Sequence, residues 1–447
     1  MDMISDLSDD LLLEILSSLP ARDMVGTMLL SKRWKFLWTM VTKLHFDDSF
    51  KDYYYDDEDE DYVTDGEKFF PYRRFRQYVD KFMILHKSYV LETLTFELGL
   101  VSRTDDLATW IRIAIARQVR ELEIHRSNAD KNDYSFTLPL DLYTYDKLVV
   151  LKLCGSIVLD VPSVVSLSSL KSLHLLSVLL YHDEESHRRL LKGCPVLEEL
   201  VVDKSENFDV SSLYVLTPFL KSLSIVNEYN RQLSTVEHPK FDCYVDVINV
   251  PCLKYLNYVD IYDFGHSCLC ENMPEVVEAN VKLVCKFPEK LMRSLTSVKR
   301  LSLCLHGPMR KHRIKYNQLV HLELCRCSIM WLDLLTRMLE SSPKLQVLKL
   351  NKCQEPFYDS PIKPIKGRWE PSSVPECLVS HLKIVEWKYY NGRHEEKKVV
   401  AYILKHARHL KTATVSAQEL STKIPTPQRE ELVSLPRASA SCKLVLD

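Results

Sequence analysis

The chain has 447 residues, 46% of them hydrophobic, and a formal net charge of −2 at pH 7. This length predicts two or three units or a repeat array, and the charge argues against a protein that general basicity holds on nucleic acid. With no apolar run of the roughly 18 residues that a membrane span needs and no expected secretory segment, the thirteen cysteines indicate reduced thiols in the cytoplasm or nucleus.

Three short helices are predicted within residues 1–45. Ser8 or Asp9 can cap the first helix, and Pro20 is expected to end it at about Leu19. A second helix is predicted from Met24 to Leu29, and Ser31 can cap a third. Apolar side chains recur at helical spacing in the first and third helices, at Leu11, Leu12, Ile15, Leu16 and Leu19, and at Trp34, Leu37, Trp38 and Val41.

So small a set of helices cannot bury all of these side chains. Each large apolar side chain left in water forfeits about 1.5–3 kcal/mol. The surplus apolar face therefore predicts either a partner protein or contact with the domain that follows, and the physics leaves both open.

The phrases L-S-D-D-L-L-L-E-I-L-S-S-L-P and L-L-S-K-R-W-K-F-L-W resemble an F-box, the motif that docks on Skp-type adaptors of cullin–RING ubiquitin ligases. S-K-R-W is the most specific part. Ser8 departs from the proline that is usual in that family. The resemblance implies adaptor contacts through nine residues, which are Leu7, Leu11, Leu12, Ile15, Leu16, Leu19, Pro20, Leu37 and Trp38.

An acidic stretch follows at residues 47–68, with eleven acids against two lysines. Its self-repulsion predicts a solvated linker, and an acidic docking strip for a basic substrate is the alternative. Without this stretch the remaining chain carries −2 − (−9) = +7.

A helix is predicted around Phe75, Val79, Phe82 and Met83, and from Leu91 an L-x-x-L-x-L phrase recurs ten times, starting at Leu91, Val119, Leu148, Leu170, Leu197, Leu220, Leu253, Val298, Leu319 and Leu345. Recurrence every twenty to thirty-odd residues is typical of leucine-rich repeats, which stack into a solenoid. A degenerate copy covers residues 274–284, and a long loop is expected at 227–246.

Alternation in each strand sends the leucines inward and their neighbours outward onto the concave face. We take the outward positions as candidate target contacts, with an ordinary solvated face as the alternative. They are mixed in charge, which favours no ligand class, and comprise Glu123, His125, Lys152, His174, Asp203, Asn257, Glu323 and Lys349.

Beyond a proline-rich break, a strand ending in an Asn-Gly turn is predicted at 377–392, then a helix at 395–410, a short helix at 428–435 and a final strand. This end resembles the FBD module of a plant family of F-box, leucine-rich-repeat proteins, and L-L-K-G-C-P-V-L-E-E-L-V-V (190–202) and V-P-C-L-K-Y-L (250–256) resemble its repeats. The expected fold is α/β, with a three-helix F-box (1–46), an acidic linker (47–68), an irregular solenoid (69–355), a Pro-rich connection (356–376) and an α+β FBD-like cap (377–447).

No catalytic motif is found. His266, Cys268 and Cys270, like the Cys325–Cys327 pair, lack the spacing of zinc sites, so no metal or cofactor is expected. Cys194 is the most exposed-looking candidate nucleophile, although a structural cysteine at a repeat junction is favoured. The basic segment 309–315 could serve nuclear import or phosphate contact, although a solvated loop between two repeats is favoured.

The resemblance implies a non-catalytic substrate receptor that binds a Skp-type adaptor and, through it, a cullin and a RING protein. The repeats would hold an unidentified protein target, without nucleic-acid or membrane partners. The alternatives are an interaction scaffold that recruits no cullin, and an enzyme of unrecognised type that uses the concave face.

Overall fold

A computed structural model describes residues 4, 7–48, 70–99, 102–126, 136–180, 185–204, 213–227, 245–261, 267–271, 273–284, 288–306, 314–352, 369, 371, 373–417 and 424–447. Most of the acidic linker, the 227–246 loop, the basic segment and the Pro-rich connection, together with His266, therefore lie outside the described residues. The chain divides into two compact units, Met1–Val210 and Ser211–Asp447.

Unit 1 combines an N-terminal group of helices with a parallel sheet. Its helices are α1 (Asp9–Ser17), α2 (Ala21–Gly26), α3 (Trp34–Leu37), α4 (Phe70–Leu85), α5 (Thr104–Ala116) and α6 (Ser186–Lys192), with 3-10 turns at Thr27–Leu29, Trp38–Met40 and Leu140–Thr144. Its strands are β1 (Lys43–Asp47), β2 (Thr93–Leu98), β3 (Glu121–Arg126), β4 (Phe136–Thr137), β5 (Val150–Gly155), β6 (Ile157–Leu159), β7 (Ser172–Leu176), β8 (Leu179–Leu180) and β9 (Glu199–Asp203). The main sheet runs in the order β1-β2-β3-β5-β7-β9, and β4-β6-β8 form a small second sheet.

Unit 2 also combines helices with a main parallel sheet and a small second sheet. Its helices are α7 (Glu289–Ser294), α8 (Trp331–Ser341), α9 (Glu376–Ser380), α10 (His394–His406) and α11 (Thr426–Ser434). Its strands are β10 (Tyr214–Val215), β11 (Ser222–Asn227), β12 (Val245–Asn249), β13 (Tyr255–Asp260), β14 (Ser267–Glu271), β15 (Glu278–Val284), β16 (Arg300–His306), β17 (His321–Cys325), β18 (Val347–Asn351), β19 (Ile384–Trp387), β20 (Thr412–Val415) and β21 (Lys443–Leu446). The main sheet runs β11-β13-β15 and then in sequence to β21, and β10-β12-β14 form the small sheet.

The ten repeat phrases all form strands, as predicted, and each strand begins two residues after the first apolar residue of its phrase. Leu94, Leu122 and Leu151 pair in register on β2, β3 and β5 and are buried. Since side chains alternate between the two faces of a strand, this register keeps every leucine row inside. The degenerate copy supplies β15, and Phe75, Val79, Phe82 and Met83 are buried on α4.

The N-terminal helices differ from the prediction in four details. The second helix covers Ala21–Gly26 and continues as a 3-10 turn at Thr27–Leu29, rather than running from Met24 to Leu29. The first helix ends at Ser17 rather than Leu19, because the Ser18 N–H closes the last turn on the Ile15 and Leu16 carbonyls. Ser31 does not cap α3, whose N-cap is Arg33 without a side-chain hydrogen bond. After that one turn the chain tightens into a 3-10 turn and becomes extended at Val41.

The predicted strand over 377–392 is wrong in its first part. Residues Glu376–Ser380 form α9 after Pro375, and the strand β19 covers only Ile384–Trp387. The strand ends at Trp387 rather than at the Asn-Gly pair, and Gly392 has a positive φ of +68°. The helix that follows, α10, ends at His406 rather than at Leu410, because Ala407 is extended. The six apolar residues of the predicted face are buried, four of them on α10 and Ala407 and Leu410 beyond its end, and they are Val399, Val400, Ile403, Leu404, Ala407 and Leu410.

A buried ion pair joins the segment after β17 to the first turn of α10. Arg326 donates to the Glu396 carboxylate, and their side chains are only 6% and 3% exposed. Arg326 also donates to the carbonyls of Lys388 at 2.8 Å and Tyr389 at 2.7 Å. The second Glu396 oxygen accepts from the Asn391 N–H at 2.9 Å, so one carboxylate orders both the segment before α10 and the first turn of that helix.

Glu396→Gln should destabilise unit 2, because it leaves the buried Arg326 charge without its counter-charge, a loss of about 3–5 kcal/mol. The matched control Glu431→Gln breaks the more exposed Lys397–Glu431 pair, whose nitrogen and oxygen lie 2.5 Å apart, and should cost at most about 1 kcal/mol. Urea unfolding and hydrogen exchange of α10 amides measure both. Equal effects of the two variants would contradict this assignment.

Candidate functional site

The N-terminal helices bury one set of apolar side chains within unit 1. Leu12, Leu16, Leu37 and Trp38 are buried, and α1 packs against α3 and the Trp38–Met40 turn. The Trp38 ring lies 4.9 Å from the Phe82 ring of α4, centroid to centroid. Part of the apolar surplus is therefore used in contact with the domain that follows.

A second set of apolar side chains faces solvent. Leu29, for example, is 92% exposed. The exposed set comprises Ile4, Leu11, Ile15, Leu29, Leu30, Phe36 and Met40. We call it the apolar N-terminal surface.

The nine residues that the sequence analysis assigned to adaptor contact divide among these environments. Leu11 and Ile15 are exposed, while Leu7, Leu19 and Pro20 are half-buried. The remaining four are buried in the chain itself, namely Leu12, Leu16, Leu37 and Trp38. Sequence reasoning did not assign five other members of the exposed set, which are Ile4, Leu29, Leu30, Phe36 and Met40. For Phe36 the available signal was its position off the apolar face that Trp34 and Leu37 form on α3.

Arg33 and Ser8 fix the start of α1. The Arg33 guanidinium donates to Asp9 Oδ1 at 2.6 Å and to the Leu7 carbonyl at 2.6 Å. Ser8 accepts from the Leu11 N–H at 3.5 Å, so serine caps the helix as predicted. These contacts orient the helix that carries Leu11 and Ile15.

Backbone pairing fixes this group of helices to the sheet of unit 1. The strand β1, which sequence analysis did not predict, pairs with β2 in parallel. The Thr39 carbonyl accepts from the N–H groups of Lys87 at 2.9 Å and Ser88 at 3.1 Å. The apolar N-terminal surface is therefore held in a set orientation on the first repeat.

His86 is buried at this junction. Its Nε2 lies 2.8 Å from the Val41 carbonyl oxygen, and its Nδ1 lies 3.0 Å from Arg117 Nη1. A carbonyl can only accept and a guanidinium can only donate, so Nε2 carries the proton and the ring is neutral. Burial lowers the pKa of His86 to about 4.

The lowered pKa predicts a junction that weakens in acid. Unfolded His86 binds a proton below about pH 6.5, whereas the folded residue does so only below about pH 4. Stability is therefore complete above pH 6.5 and falls as the pH drops toward 4, by on the order of 1–3 kcal/mol. Urea unfolding at several pH values, with hydrogen exchange at Lys87 and Ser88, measures this loss.

His86→Leu should flatten that pH dependence, since it removes the group that titrates. The control His409→Leu, at an exposed position, should leave the slope unchanged. An unaltered slope in His86→Leu would refute the assignment.

The outward strand positions of unit 1 form rows across the sheet. Glu123, Lys152 and His174 pair in register in one row. Lys152 Nζ lies 2.6 Å from Glu123 Oε1, and His174 Nε2 lies 3.3 Å from Glu199 Oε2. His125 and Asp203 belong to the next row, so the structure brings all five predicted positions onto one face.

Unit 2 has an equivalent row. Asn257, Glu323 and Lys349 belong to it through the pairs that link β13 to β18. Asn257 donates to Ser224 Oγ at 2.8 Å and accepts from Asn280 at 2.8 Å, while Lys349 Nζ lies 3.1 Å from a carboxylate oxygen of Glu386. The outward charges of these rows therefore largely pair with one another, and their role toward a target stays a prediction.

Cys194 is buried rather than exposed, with its Sγ 3.2 Å from the Leu190 carbonyl oxygen. Burial raises the pKa of its thiol to about 12. A thiol that stays protonated at neutral pH is a poor nucleophile. Cys194 is therefore not the exposed nucleophile that the sequence offered as a candidate, and its burial agrees with the structural cysteine that the sequence favoured.

Within the described ranges, no group of three or more His, Cys, Asp or Glu side chains is placed to hold a metal ion. The Sγ atoms of Cys325 and Cys327 lie 2.9 Å apart. No helix in the part of the chain that the structure describes is long and apolar enough to cross a membrane.

Comparison with known proteins gives three family matches. They are the F-box domain at residues 4–46, the LRR repeats of FBD-associated F-box protein At5g56370 at 107–263, and FBD at 370–415. A putative FBD-associated F-box protein of Arabidopsis thaliana is 53% identical to this chain over 453 residues, covering all of both. The chain belongs to the FBD-associated F-box/LRR-repeat family.

Two further relatives, both F-box/FBD/LRR-repeat proteins of Arabidopsis thaliana, are 40% and 41% identical over 452 and 451 residues, covering all of this chain and 99% and 100% of the relatives. The resemblance to this plant family that the sequence indicated is therefore confirmed. The F-box match covers the helices that carry the apolar N-terminal surface, and the FBD match covers β19, α10 and β20. This family membership points to an adaptor-type protein rather than a catalytic one.

Proposed function

We propose that this chain is the substrate receptor of an SCF-type cullin–RING ubiquitin ligase. Its F-box would bind a Skp-type adaptor and, through it, a cullin and a RING protein. Its repeats would bind a protein target in the cytoplasm or nucleus. The observation that carries this proposal is the apolar N-terminal surface, which lies within the F-box of a chain that belongs to an F-box family.

The exposure of apolar side chains on helix α1 supports a partner protein. Leu12 and Leu16 lie one turn apart and are buried, whereas Leu11 and Ile15, also one turn apart, are exposed. The helix thus has two apolar stripes, and unit 1 covers only one of them. Burial of each exposed side chain against a partner would contribute about 1.5–3 kcal/mol.

The repeats would contribute by positioning the target protein. A target held on the outward rows would present its lysine to a separate ubiquitin-charged enzyme, and holding two reactants in the right geometry accelerates their reaction. This chain would supply no catalytic group. The β1–β2 pairing supports that role, because it sets the orientation of the F-box on unit 1.

Changing both Leu11 and Ile15 to Asp should weaken adaptor binding by on the order of 100-fold or more, because two apolar contacts are lost and two charges are buried. Both residues are exposed, so the chain should still fold. The measurement is co-expression of the full chain with a Skp-type adaptor, followed by size-exclusion chromatography and titration calorimetry.

The matched control changes Leu140 and Val164 to Asp, two apolar residues of unit 1 that are also exposed and lie outside the F-box match; it should bind the adaptor normally. Leu12→Asp should instead disrupt the folding of the F-box, because Leu12 is fully buried. Retained binding in the Leu11/Ile15 variant would refute the docking surface.

The alternative function is a protein-interaction scaffold that recruits no ligase. Affinity purification from plant extract, with the full chain as bait, separates the two. A cullin recovered with the wild-type chain, and lost with the Leu11/Ile15 variant, supports the receptor function. An adaptor recovered without a cullin would favour the scaffold.

A further inference from the structure

Lysines line up across the N-terminal ends of the strands in the main sheet of unit 2. The residues that immediately precede the main-sheet strands from β11 to β20 form a continuous row. The N–H of each member donates to the carbonyl of the member before it, at 2.8–2.9 Å. The members, in order, are Lys221, Lys254, Val277, Lys299, Val320, Gln346, Lys383 and Lys411. We call this set the lysine row.

The five lysines of the row are exposed. Two further exposed bases, Arg300 and Lys443, are the first residues of β16 and β21. Glu275 and Glu278 lie beside Val277. Neighbouring strands are about 4.8 Å apart, so the eight positions span roughly 34 Å.

Unit 1 does not repeat this pattern. Its equivalent row is linked by the same backbone bonds and consists of Glu92, Arg120, Val149, Lys171 and Glu198. Its two acids balance its two bases, and Lys171 Nζ lies 3.7 Å from Glu198 Oε1. The basic edge is therefore a property of unit 2 and is not imposed by the repeat pattern.

Four lysines of the lysine row also differ from the bases in the outward rows of the strands, namely Lys254, Lys299, Lys383 and Lys411. In those rows bases pair with acids on neighbouring strands, as Lys349 does with Glu386. Within the lysine row, Lys383 donates to the uncharged Gln346 side chain at 2.9 Å. Side chains of one sign along an edge concentrate a positive field there, and that field favours an extended anionic ligand.

We propose that the lysine row binds an acidic segment of the protein target. The proposal rests on the proposed receptor function, which makes the ligand a protein. At about 3.3 Å per residue, an extended segment of roughly ten residues spans the row. Lys383 and Lys411 lie within the FBD match, so the FBD takes part in target binding as well as ending the repeats.

The test uses the full chain and a fluorescent peptide of about twelve alternating Glu and Ser residues, the length the row accommodates. Fluorescence anisotropy gives the Kd at about 50 mM and about 300 mM NaCl, since screening weakens charge contacts between these salt concentrations. An alternating Gln-Ser peptide reports on binding without charge, and a thymidine oligonucleotide of equal charge reports on nucleic acid.

The row variant changes Lys254, Lys299 and Lys383 to Glu, and a milder variant changes the same three to Gln. The matched control changes Lys290, Lys398 and Lys405 to Glu, three exposed lysines on α7 and α10. It alters the net charge equally and leaves the row intact. Adaptor binding, measured on the same preparations by size-exclusion chromatography, reports whether each variant is folded.

The expected result is that the wild-type chain binds the Glu-Ser peptide, that higher salt weakens binding, and that the row variant loses about tenfold or more in affinity while the control changes less than about twofold. The affinity of the Gln variant for the Glu-Ser peptide should lie between those of the row variant and the control. Equal losses in row and control variants, equal binding of the Gln-Ser peptide, or tighter binding of the oligonucleotide would each overturn the proposal. Failure of the wild-type chain to bind the adaptor would count against the receptor function alone.

Discussion

Stacking of leucine-type side chains under a parallel backbone ladder is the constraint on which both units depend. Rows such as Leu94, Leu122 and Leu151 are buried from solvent only because neighbouring strands pair in register. A single repeat cannot bury its own apolar face, so every strand needs a neighbour. The chain meets this need with β1 beside the first repeat strand of unit 1, and with the FBD strands β19 and β20 beside the last repeat strands of unit 2.

Local patterns predicted most of this fold, because every L-x-x-L-x-L phrase forms a strand at the same position within the phrase. The errors lie where distant contacts decide. The five residues of β1 become a strand only by pairing with β2, about fifty residues later. The apolar run at Cys377–Val379 suits a helix or a strand equally well, and the Pro375 turn before it selects α9.

The functional surfaces were harder to predict than the fold. Periodicity placed both Leu11 and Leu12 on a wide apolar face, but only packing against α3 and the Trp38–Met40 turn determines that Leu12 is covered and Leu11 is not. The lysine row has no local signature, because its members are separated by loops of unequal length and meet only when the strands stack. The net charge outside the acidic stretch is +7, and this total does not indicate that lysines are aligned in a row.

The pairing of β1 with β2 also bears on synthesis at the ribosome, where folding proceeds from the N-terminus. Leu44 and Phe46 on β1 have no sheet partner until residues 93–98 have emerged, and the Val41 carbonyl awaits His86. The nascent F-box therefore completes its packing only together with the first repeat. A fragment cut at residue 46 would keep the motif but expose the side chains that hold it in place.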